Sequence, residues 1–501
     1  MANSWKISLL LLVVSVISSS FASVPFINND ESRDDMIFIF GKWFHKNGLP
    51  ILPAQATRPQ IFQQCLDHNN SSGCQTKWNQ RYWVREDYYA AGGPIFFQFG
   101  GEGPADALID NYYWHAYAQE YNAMLVVLEH RFYGESWPSN DDSMEVLQTL
   151  TSQNALADAA YFIDEFTASQ GLNGSDWVAF GGSYAGNLAA WMKQKYPNHV
   201  KTAVASSGPL LAVYDFPGYL ETVSEVVKAL DTVCYDKVYD AFNCMESLVN
   251  GSNCGNYSTV SEIIPALRQC SSVDFSDLLD RETFFNILAM GRWADNWPSA
   301  GVRRNCAVIT SVSGSDPLSI YGNFLVEMGQ GGNCKVRAKS AIQENEEILK
   351  FIRSKEGKQS GAAGWFWQTC YEFGYYMSAD PKNGLFGYST FSGWPYGISC
   401  GYEFGSMFTK EYTEERIAMT NEYYKGKEID SKCVILVNGE WDPWHTLGIN
   451  NASETSSDNT VVYVPRAEHC DDMLNPKTED MREAQALIQR QIGIYLNDSK
   501  C

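Results

Sequence analysis

Six short apolar segments, each followed by glycine or by a polar turn, restrict most strongly how this chain of 501 residues folds. Segments that are apolar throughout over such a length are typical of parallel strands buried on both faces. They lie at 94–99 (PIFFQF), 123–128 (AMLVVL), 177–180 (WVAF), 200–205 (VKTAVA), 433–437 (CVILV) and 461–464 (VVYV). Stretches with apolar residues at helical spacing, such as 151–169 and 186–196, separate several of them. The alternation predicts an α/β fold, in which helices cover both faces of a mostly parallel sheet.

The alternation stops between residue 214 and about residue 402, where the pattern becomes mostly helical. Strand patterns resume afterwards, and no linker rich in proline, glycine or serine marks either edge. We therefore expect a helical cap inserted between strands of one sheet, in preference to a separate linked domain. The predicted organisation is a first part of the sheet domain at 23–211, a cap at 212–345 whose C-terminal edge extends up to about 402, and a second part at 346–501.

The first 22 residues have the pattern of a secretory signal peptide. A lysine at position 6 precedes the apolar run at 7–17, and small residues permit cleavage after Ala22. The run is too short to span a bilayer, and no later stretch is long enough, so we expect no stable membrane insertion. The 13 cysteines suit an oxidising compartment, and the predicted location is the secretory pathway.

The net charge of the chain and the spacing of its candidate ligand residues argue against several classes of partner, metal and cofactor. The net charge of −22 makes nucleic acid and anionic membranes unfavourable partners. The histidines and cysteines lack the paired spacing of metal ligands, so no metal is predicted. The glycine-rich stretch at 100–103 lacks the Lys and Ser/Thr of a phosphate-binding loop, and no cofactor is predicted. The oligomeric state stays open, with a homodimer among the alternatives.

Asparagine sequons and cysteines predict modifications of a secreted chain. An occupied sequon must lie on the surface. The predicted glycosylation sites are Asn70, whose sequon overlaps that of Asn69, and Asn173, Asn250, Asn256, Asn451 and Asn497. The favoured disulfides are Cys65–Cys74, which closes a short loop, and Cys370–Cys400, which flanks the region where the cap rejoins the sheet. The odd number of cysteines leaves at least one thiol free or bonded to another chain.

Two serines compete as a nucleophile on a strained turn. Ser399 has the strict G-x-S-x-G pattern, whereas Ser183, in VAFGGSYAG, has Ala185 in place of the second glycine. Such a turn requires a strand before the serine and a helix after it, with small residues around it. Ser183 follows WVAF and precedes a helical pattern, whereas no strand pattern precedes Ser399. Alanine can replace glycine where the backbone angles are ordinary, so Ser183 is the predicted nucleophile.

A serine nucleophile needs a base, and the base needs a residue that orients it. In sheet enzymes of this type, the chain order is Ser, then Asp or Glu, then His, each after a strand. Asp442 follows the strand pattern at 433–437, and His469 follows the one at 461–464. We therefore predict Asp442 as the orienting residue and His469 as the base, with Glu440 and His445 as the respective alternatives.

Backbone N–H groups are expected to stabilise the negative charge that develops on the substrate oxygen. The N–H of Tyr184, at the start of the helix after the nucleophile, is one candidate. The second is the N–H of Gly101, in the glycine-rich stretch after the strand at 94–99. The alternative for this stretch is a plain tight turn.

Six blocks of sequence resemble a known family of serine exopeptidases, which includes lysosomal Pro-X carboxypeptidase, dipeptidyl peptidase II and thymus-specific serine protease. The blocks are PIFFQFGGEGP, EHRFYGES, FGGSYAGNLAAW, ASSGPL, NGEWDPWHTLG and AEHCDDM. Ala185 and the DPWH block are most similar to the thymus-specific protease branch. The resemblance implies an α/β-hydrolase domain with a helical cap, and the triad Ser183, Asp442 and His469. It also implies cleavage of peptides after proline or another small residue near a terminus, in a lysosome, endosome or vacuole or after secretion.

Three further residues are candidates for substrate binding. Trp441 and Trp444 flank Asp442 and could stack on a proline ring, the alternative being ordinary core packing. Glu372 is a candidate for meeting a substrate terminus.

The sequence does not separate a carboxypeptidase from an aminodipeptidase. An esterase or lipase uses the same fold and triad, and a non-catalytic binding protein is the third alternative.

Overall fold

A computed structural model describes residues 57–68, 76–139, 143–271, 273–329, 352–379, 384–387 and 394–501, with two short strands between residues 36 and 45 and isolated positions at 74, 337–338, 346 and 349–350. The predicted signal peptide and the sequon at Asn70 lie outside the described residues. Within the described part of the chain, no helix combines the length and the apolar character needed to cross a bilayer.

The strands are numbered along the chain. They are β1 (Met36–Ile39), β2 (Lys42–His45), β3 (Gln60–Cys65), β4 (Lys77–Arg85), β5 (Ile95–Phe99), β6 (Met124–Leu128), β7 (Trp177–Gly182), β8 (Thr202–Ser206), β9 (Val213–Phe216), β10 (Cys270–Ser271), β11 (Arg337–Ala338), β12 (Gly374–Met377), β13 (Val434–Gly439) and β14 (Thr460–Val464). All six segments predicted as strands are strands of one sheet.

The α-helices are numbered in the same way. They are α1 (Trp114–Tyr121), α2 (Met144–Leu147), α3 (Ser152–Gln170), α4 (Tyr184–Lys195), α5 (Gly218–Leu230), α6 (Thr232–Val249), α7 (Ile263–Ala266), α8 (Leu278–Trp293), α9 (Pro298–Ser311), α10 (Pro317–Glu327), α11 (Lys355–Ser360), α12 (Ala362–Gln368), α13 (Trp394–Phe404), α14 (Lys410–Tyr424) and α15 (Glu479–Asn497).

The central sheet has eight strands in the order β14-β13-β8-β7-β5-β6-β4-β3. The strands from β14 to β6 run parallel, whereas β4 is antiparallel to both β6 and β3. This strand order, with the antiparallel edge, is that of the α/β-hydrolase fold, and the predicted fold class is confirmed. The strands β3 and β4 were not predicted, because glutamine, asparagine and charged residues interrupt their apolar residues, so they lack the continuous apolar pattern.

Helices pack on both faces of this sheet. Phe96 and Phe97 are neighbours on β5, so their side chains point to opposite faces. The ring of Phe96 contacts Tyr121 of α1, whereas the ring of Phe97 contacts Phe162 of α3. Both phenylalanines are fully buried, as a strand covered on both sides requires.

The chain divides into two compact units. Among the described residues, the helical unit contains those of Val213–Phe351 and Gly374–Glu414, and the sheet unit contains those of Ser20–Ala212, Ile352–Phe373 and Glu415–Cys501. The boundary between the cap and the second part of the sheet domain, placed at 345–346 or as late as about 402, stays a prediction. In the structure, the chain returns to the helical unit after residue 373. The reason is a strand pairing that the composition does not reveal: β12 pairs in parallel with β9 inside the helical unit.

Two disulfides stabilise the helical unit. Cys234–Cys306 joins α6 to α9, and Cys244–Cys254 joins α6 to the segment that follows it. A disulfide restricts the unfolded chain most when the loop that it closes is long, so the first, with a separation of 72 residues, contributes more than the second.

A buried ion pair holds the loop after β6 in the sheet unit. The Arg131 guanidinium is fully buried and donates through Nε and Nη2 to the two carboxylate oxygens of Asp158 on α3, each at 2.6 Å. It also donates to the Thr149 carbonyl at 3.0 Å. His68 lies 2.6 Å from the same carboxylate. The geometry is bidentate, so both charges are satisfied inside the protein.

We predict that Arg131→Met lowers the free energy of unfolding by ~3–5 kcal/mol, because it leaves the buried Asp158 carboxylate without its guanidinium partner. Arg482→Met is the matched control, since Arg482 pairs with Glu479 on the exposed side of α15, and such a pair contributes at most about 1 kcal/mol. Urea unfolding of both variants measures the difference. Equal losses of unfolding free energy in the two variants would show that the buried pair contributes no more to stability than the exposed pair.

Candidate active site

Ser183 lies on a sharp turn between β7 and α4. Its backbone has φ 59° and ψ −131°, a left-handed conformation that is unfavourable for a residue with a Cβ atom. The turn needs close backbone packing around it. A Cβ atom on Gly181 would lie 1.9 Å from the Ala185 carbonyl oxygen, and one on Gly182 would lie 2.4 Å from Met473 Sδ. Backbone atoms therefore leave no room for a side chain at Gly181, whereas one at Gly182 would have to displace the Met473 side chain.

Ala185 occupies the first turn of α4 and has helical backbone. The glycine that this helix needs is the next residue, because a Cβ atom on Gly186 would lie 2.6 Å from the Ser206 carbonyl oxygen. The strict pattern is therefore unnecessary here. Ser399 lies inside α13, whereas a serine on such a turn precedes its helix. The structure places Ser183, and not Ser399, on a strand-turn-helix element.

Asp442 and His469 follow β13 and β14 and form a hydrogen-bonded pair. His469 Nδ1 lies 2.8 Å from Asp442 Oδ1, and both side chains are fully buried. The N–H of Trp444 donates to the same Asp442 oxygen at 2.9 Å, which fixes the carboxylate. A carboxylate that accepts from Nδ1–H leaves Nε2 of the imidazole as the basic nitrogen.

The alternative residues take other positions. His445 Nδ1 lies 2.7 Å from the backbone carbonyl of Asp442, and its ring packs edge-on against Tyr463. Glu440 is exposed and accepts from the N–H of Arg466. Glu440 therefore does not orient a buried histidine in this structure.

The loop that carries His469 lies against the turn that carries Ser183. A Cβ atom on Gly182 would lie 3.0 Å from Cys470 Sγ, so the residues beside the predicted nucleophile and base are in contact. The N–H of Ser183 donates to the Ser206 carbonyl at 2.9 Å, and the N–H of Cys470 donates to Ser207 Oγ at 2.9 Å. The end of β8 therefore contacts both segments.

Of the two predicted oxyanion donors, Tyr184 begins α4, and Gly101 lies in the loop after β5. The N–H of Tyr184, the first helical residue, has no partner within the helix. A Cβ atom on Gly101 would lie 3.5 Å from the Ala185 Cβ, so the loop after β5 packs on the first helical turn. This proximity suits two N–H groups directed at one oxygen, and the oxyanion hole stays a prediction.

A buried polar network that sequence analysis missed surrounds the side chain of Tyr184. The Tyr184 hydroxyl lies 3.0 Å from His130 Nε2 and accepts from Gln368 Nε2 at 2.9 Å. Burial lowers the pKa of His130 from 6.5 to about 4. No residue spacing links His130 to Gln368, which is 238 positions away, so local sequence patterns do not reveal this contact.

Glu372 belongs to this network and has no free face for a substrate terminus. It is 4% exposed, and its carboxylate accepts from the N–H and hydroxyl of Ser152 and from Gln368 Nε2. Burial raises the pKa of Glu372. The predicted substrate contact is therefore corrected: hydrogen bonds within the protein occupy this carboxylate, because α12 and the residues after it return to the sheet unit.

The two tryptophans differ in exposure. Trp444 is 2% exposed, and its ring centroid lies 6.4 Å from that of His469, so it packs beside the base within the core. Trp441 is partly exposed. Of the two, Trp441 keeps the accessible ring face that stacking on a substrate requires.

The remaining predicted positions concern modifications. Five predicted glycosylation sites are exposed: Asn173, Asn250, Asn256, Asn451 and Asn497. A disulfide joins Cys65 to Cys74, and a further one joins Cys433 to Cys501. Cys370 and Cys400 are both disulfide-bonded, and their pairing with each other stays a prediction. Among the described cysteines, Cys470 is a buried free thiol, and burial raises its pKa.

Comparison with known proteins gives one consistent result. The profile of the family described as serine carboxypeptidase S28 matches residues 64–491. Thymus-specific serine protease of Mus musculus is 30% identical over 480 residues, covering 90% of each chain. Lysosomal Pro-X carboxypeptidase of Homo sapiens is 29% identical over 423 residues, covering 79% of this chain and 80% of that protein.

We predict that Gly181→Ala lowers the rate of fluorophosphonate labelling at Ser183 by on the order of 100-fold, since the added methyl displaces the turn by about an ångström. Ala185→Gly is the control and should label within a few-fold of the wild type, because Ala185 already has helical backbone. Labelling rates measured by gel fluorescence test both variants. Similar labelling of the two would show that the close packing at Gly181 does not hold the serine.

We predict that replacing His130 changes the pH dependence of stability. Because its folded pKa is about 4, the unfolded chain takes up this proton first, and stability is lost as pH falls from 6.5 through 4. The variant His130→Gln has no titrating group at this position, so it does not lose this contribution as the pH falls. The difference in unfolding free energy between wild type and variant should therefore shrink as the pH falls from 6.5 to 4. Tyr184→Phe, which keeps His130, should show no such narrowing. Parallel urea titrations between pH 4 and pH 7 provide the measurement.

Proposed function

Because the chain belongs to the serine carboxypeptidase S28 family and is a serine-type peptidase, we propose that Ser183, His469 and Asp442 are its catalytic triad. The observation that carries this proposal is the buried His469–Asp442 pair at 2.8 Å, on a loop in contact with the strained Ser183 turn. The chain order of the three residues, each after a parallel strand, is that of α/β-hydrolases.

The proposed reaction passes through an acyl-enzyme. Ser183 Oγ attacks the carbonyl carbon of the scissile peptide bond while His469 Nε2 takes the hydroxyl proton. The Asp442 carboxylate stabilises the imidazolium, and the N–H groups of Tyr184 and Gly101 bind the oxyanion. The C–N bond then breaks, and His469 returns the proton to the leaving amine. A water molecule, deprotonated by His469, hydrolyses the Ser183 ester and regenerates the enzyme.

We propose that the substrates are peptides and that the enzyme is an exopeptidase which cleaves after proline or a small residue. One relative bears the name Pro-X carboxypeptidase, and the family description names a carboxypeptidase. Trp441 follows β13 directly and is partly exposed beside the buried Asp442. A flat indole suits the ring of a proline side chain.

We propose that the enzyme acts within or beyond the secretory pathway. The disulfides of both units are stable in oxidising compartments, and one relative bears a lysosomal name. The five exposed sequon asparagines suit the same route.

The first experiment identifies the peptide end that is cleaved. Purified protein is incubated with peptides that carry proline at the second position or at the penultimate position, and products are identified by mass spectrometry at pH 5 and pH 7. Loss of one C-terminal residue after proline supports a carboxypeptidase, and release of an N-terminal dipeptide supports an aminodipeptidase. Cleavage of acyl esters but of no peptide would favour an esterase. Absence of any reaction that depends on Ser183 would indicate a binding protein.

The second experiment separates the two histidine assignments. Asp442→Asn should lower kcat by roughly 10⁴-fold with little change in KM, because the imidazole loses the carboxylate that selects its tautomer. His445→Gln should stay within a few-fold of the wild type, since the His445 imidazole hydrogen-bonds the backbone carbonyl of Asp442 and not its carboxylate. A large loss in His445→Gln with an active Asp442→Asn would reverse the assignment.

A further inference from the structure

The carboxyl end of β8 contacts both segments that carry the proposed catalytic residues. The Ser206 carbonyl accepts from the N–H of Ser183 at 2.9 Å, and the Ser206 hydroxyl donates to Asp472 Oδ2 at 2.5 Å. Asp472 lies three residues after His469. One residue therefore bonds the nucleophile turn through its main chain and the histidine loop through its side chain.

A second connection runs in parallel with the first. The Ser207 hydroxyl accepts from the N–H of Cys470 at 2.9 Å, and the N–H of Ser207 donates to the Val437 carbonyl of β13 at 2.7 Å. Gln485 of α15 donates from Nε2 to the Asp472 carbonyl at 2.8 Å. The backbone of the histidine loop is thus held on both sides of Asp472.

Asp472 is a buried carboxyl that the proposed mechanism does not use. It is 6% exposed and borders a cavity of about 20 Å³, together with Ser206 and Tyr117. The Tyr117 hydroxyl is buried and has no hydrogen-bond partner among the described residues. A cavity of this size accommodates one water molecule. Burial of a carboxyl is costly unless it is hydrogen-bonded, so the bond from Ser206 offsets part of the cost of burying Asp472.

We propose that Asp472 is a positioning residue for the reaction: through the Ser206 hydroxyl, it fixes the histidine loop against the turn that carries Ser183. This inference rests on the proposed triad. It extends that triad, because Asp472 touches neither the substrate nor the reacting atoms. This hydrogen bond holds the histidine loop and the Ser183 turn in the relative position that proton transfer between the imidazole and the serine hydroxyl requires.

The strength of this bond depends on the charge of Asp472. The pKa of Asp472 is raised to about 6. Burial is the main cause, the nearby Asp471 and Asp442 add to the increase, and the hydrogen bond from Ser206 opposes it. The other titratable groups near it are the Cys470 thiol and the hydroxyls of Tyr117 and Tyr112, which border the same cavity, and burial raises the pKa of each. The ionised carboxylate accepts the stronger hydrogen bond, so the tie tightens as pH rises through about 6.

The test uses a double-mutant cycle on the full chain, read as the rate of fluorophosphonate labelling at Ser183. Asp472→Ala and Ser206→Ala should each slow labelling by about 10–100-fold, and the double variant should be no slower than either, since one bond is removed in all three. Tyr117→Phe is the control from the same cavity and should label like the wild type. Additive losses, or a wild-type rate in Asp472→Ala, would overturn the proposal.

A pH series separates positioning from a general loss of stability. Asp472→Asn imitates the protonated carboxyl, so it should label like the wild type at pH 5 and fall about 5–10-fold behind at pH 7.5. A constant ratio across this range would contradict the proposal. A wild type that does not label at all would refute the triad instead. In that case the Nδ1–H proton resonance of His469 still reports positioning, since it should shift in Asp472→Ala and stay unchanged in Tyr117→Phe.

Discussion

Three non-glycine residues with left-handed backbone meet at the carboxyl edge of the central sheet, and the site depends on the contacts that hold them there. They are Ser183, Ser207 and Cys470, with φ values of 59°, 50° and 56°. Each such conformation costs about 1–3 kcal/mol unless its surroundings impose it. Hydrogen bonds from the ends of β8 and β13, and glycines that leave no room for relaxation, impose it here. These contacts therefore hold the three strained residues in place.

The buried charges of the sheet unit respond to pH in opposite directions. Lowering the pH from 6.5 through 4 destabilises the folded state at His130, whose folded pKa lies near 4. The same change favours the folded state at Asp472, whose carboxyl becomes protonated below about pH 6. In the helical unit, burial raises the pKa of Asp295 to about 6, which acts in the same direction as Asp472. The contributions of these groups therefore oppose one another between pH 6.5 and pH 4.

Much of the sheet and the order of the proposed triad could be predicted because they depend on local patterns. A buried parallel strand is apolar along its length, and a nucleophile turn needs small residues between a strand and a helix, so both leave a signature in adjacent residues. The strands β3 and β4 left a weaker signature, since polar residues lie on both sides of each. The return of Ile352–Phe373 to the sheet unit left none, because no break in composition marks it.

The sequence by itself determined the α/β class, the serine on its turn, and the chain order of Ser183, Asp442 and His469, because these follow from periodicity and from neighbours along the chain. Only the tertiary structure decided that Glu372 lies buried against Ser152 and that His130 and Gln368 bond Tyr184. It alone brought Asp472 to Ser206, 266 residues earlier in the chain. Hydrogen bonds of this kind join residues far apart in sequence, and no pattern of adjacent residue types encodes which of them meet.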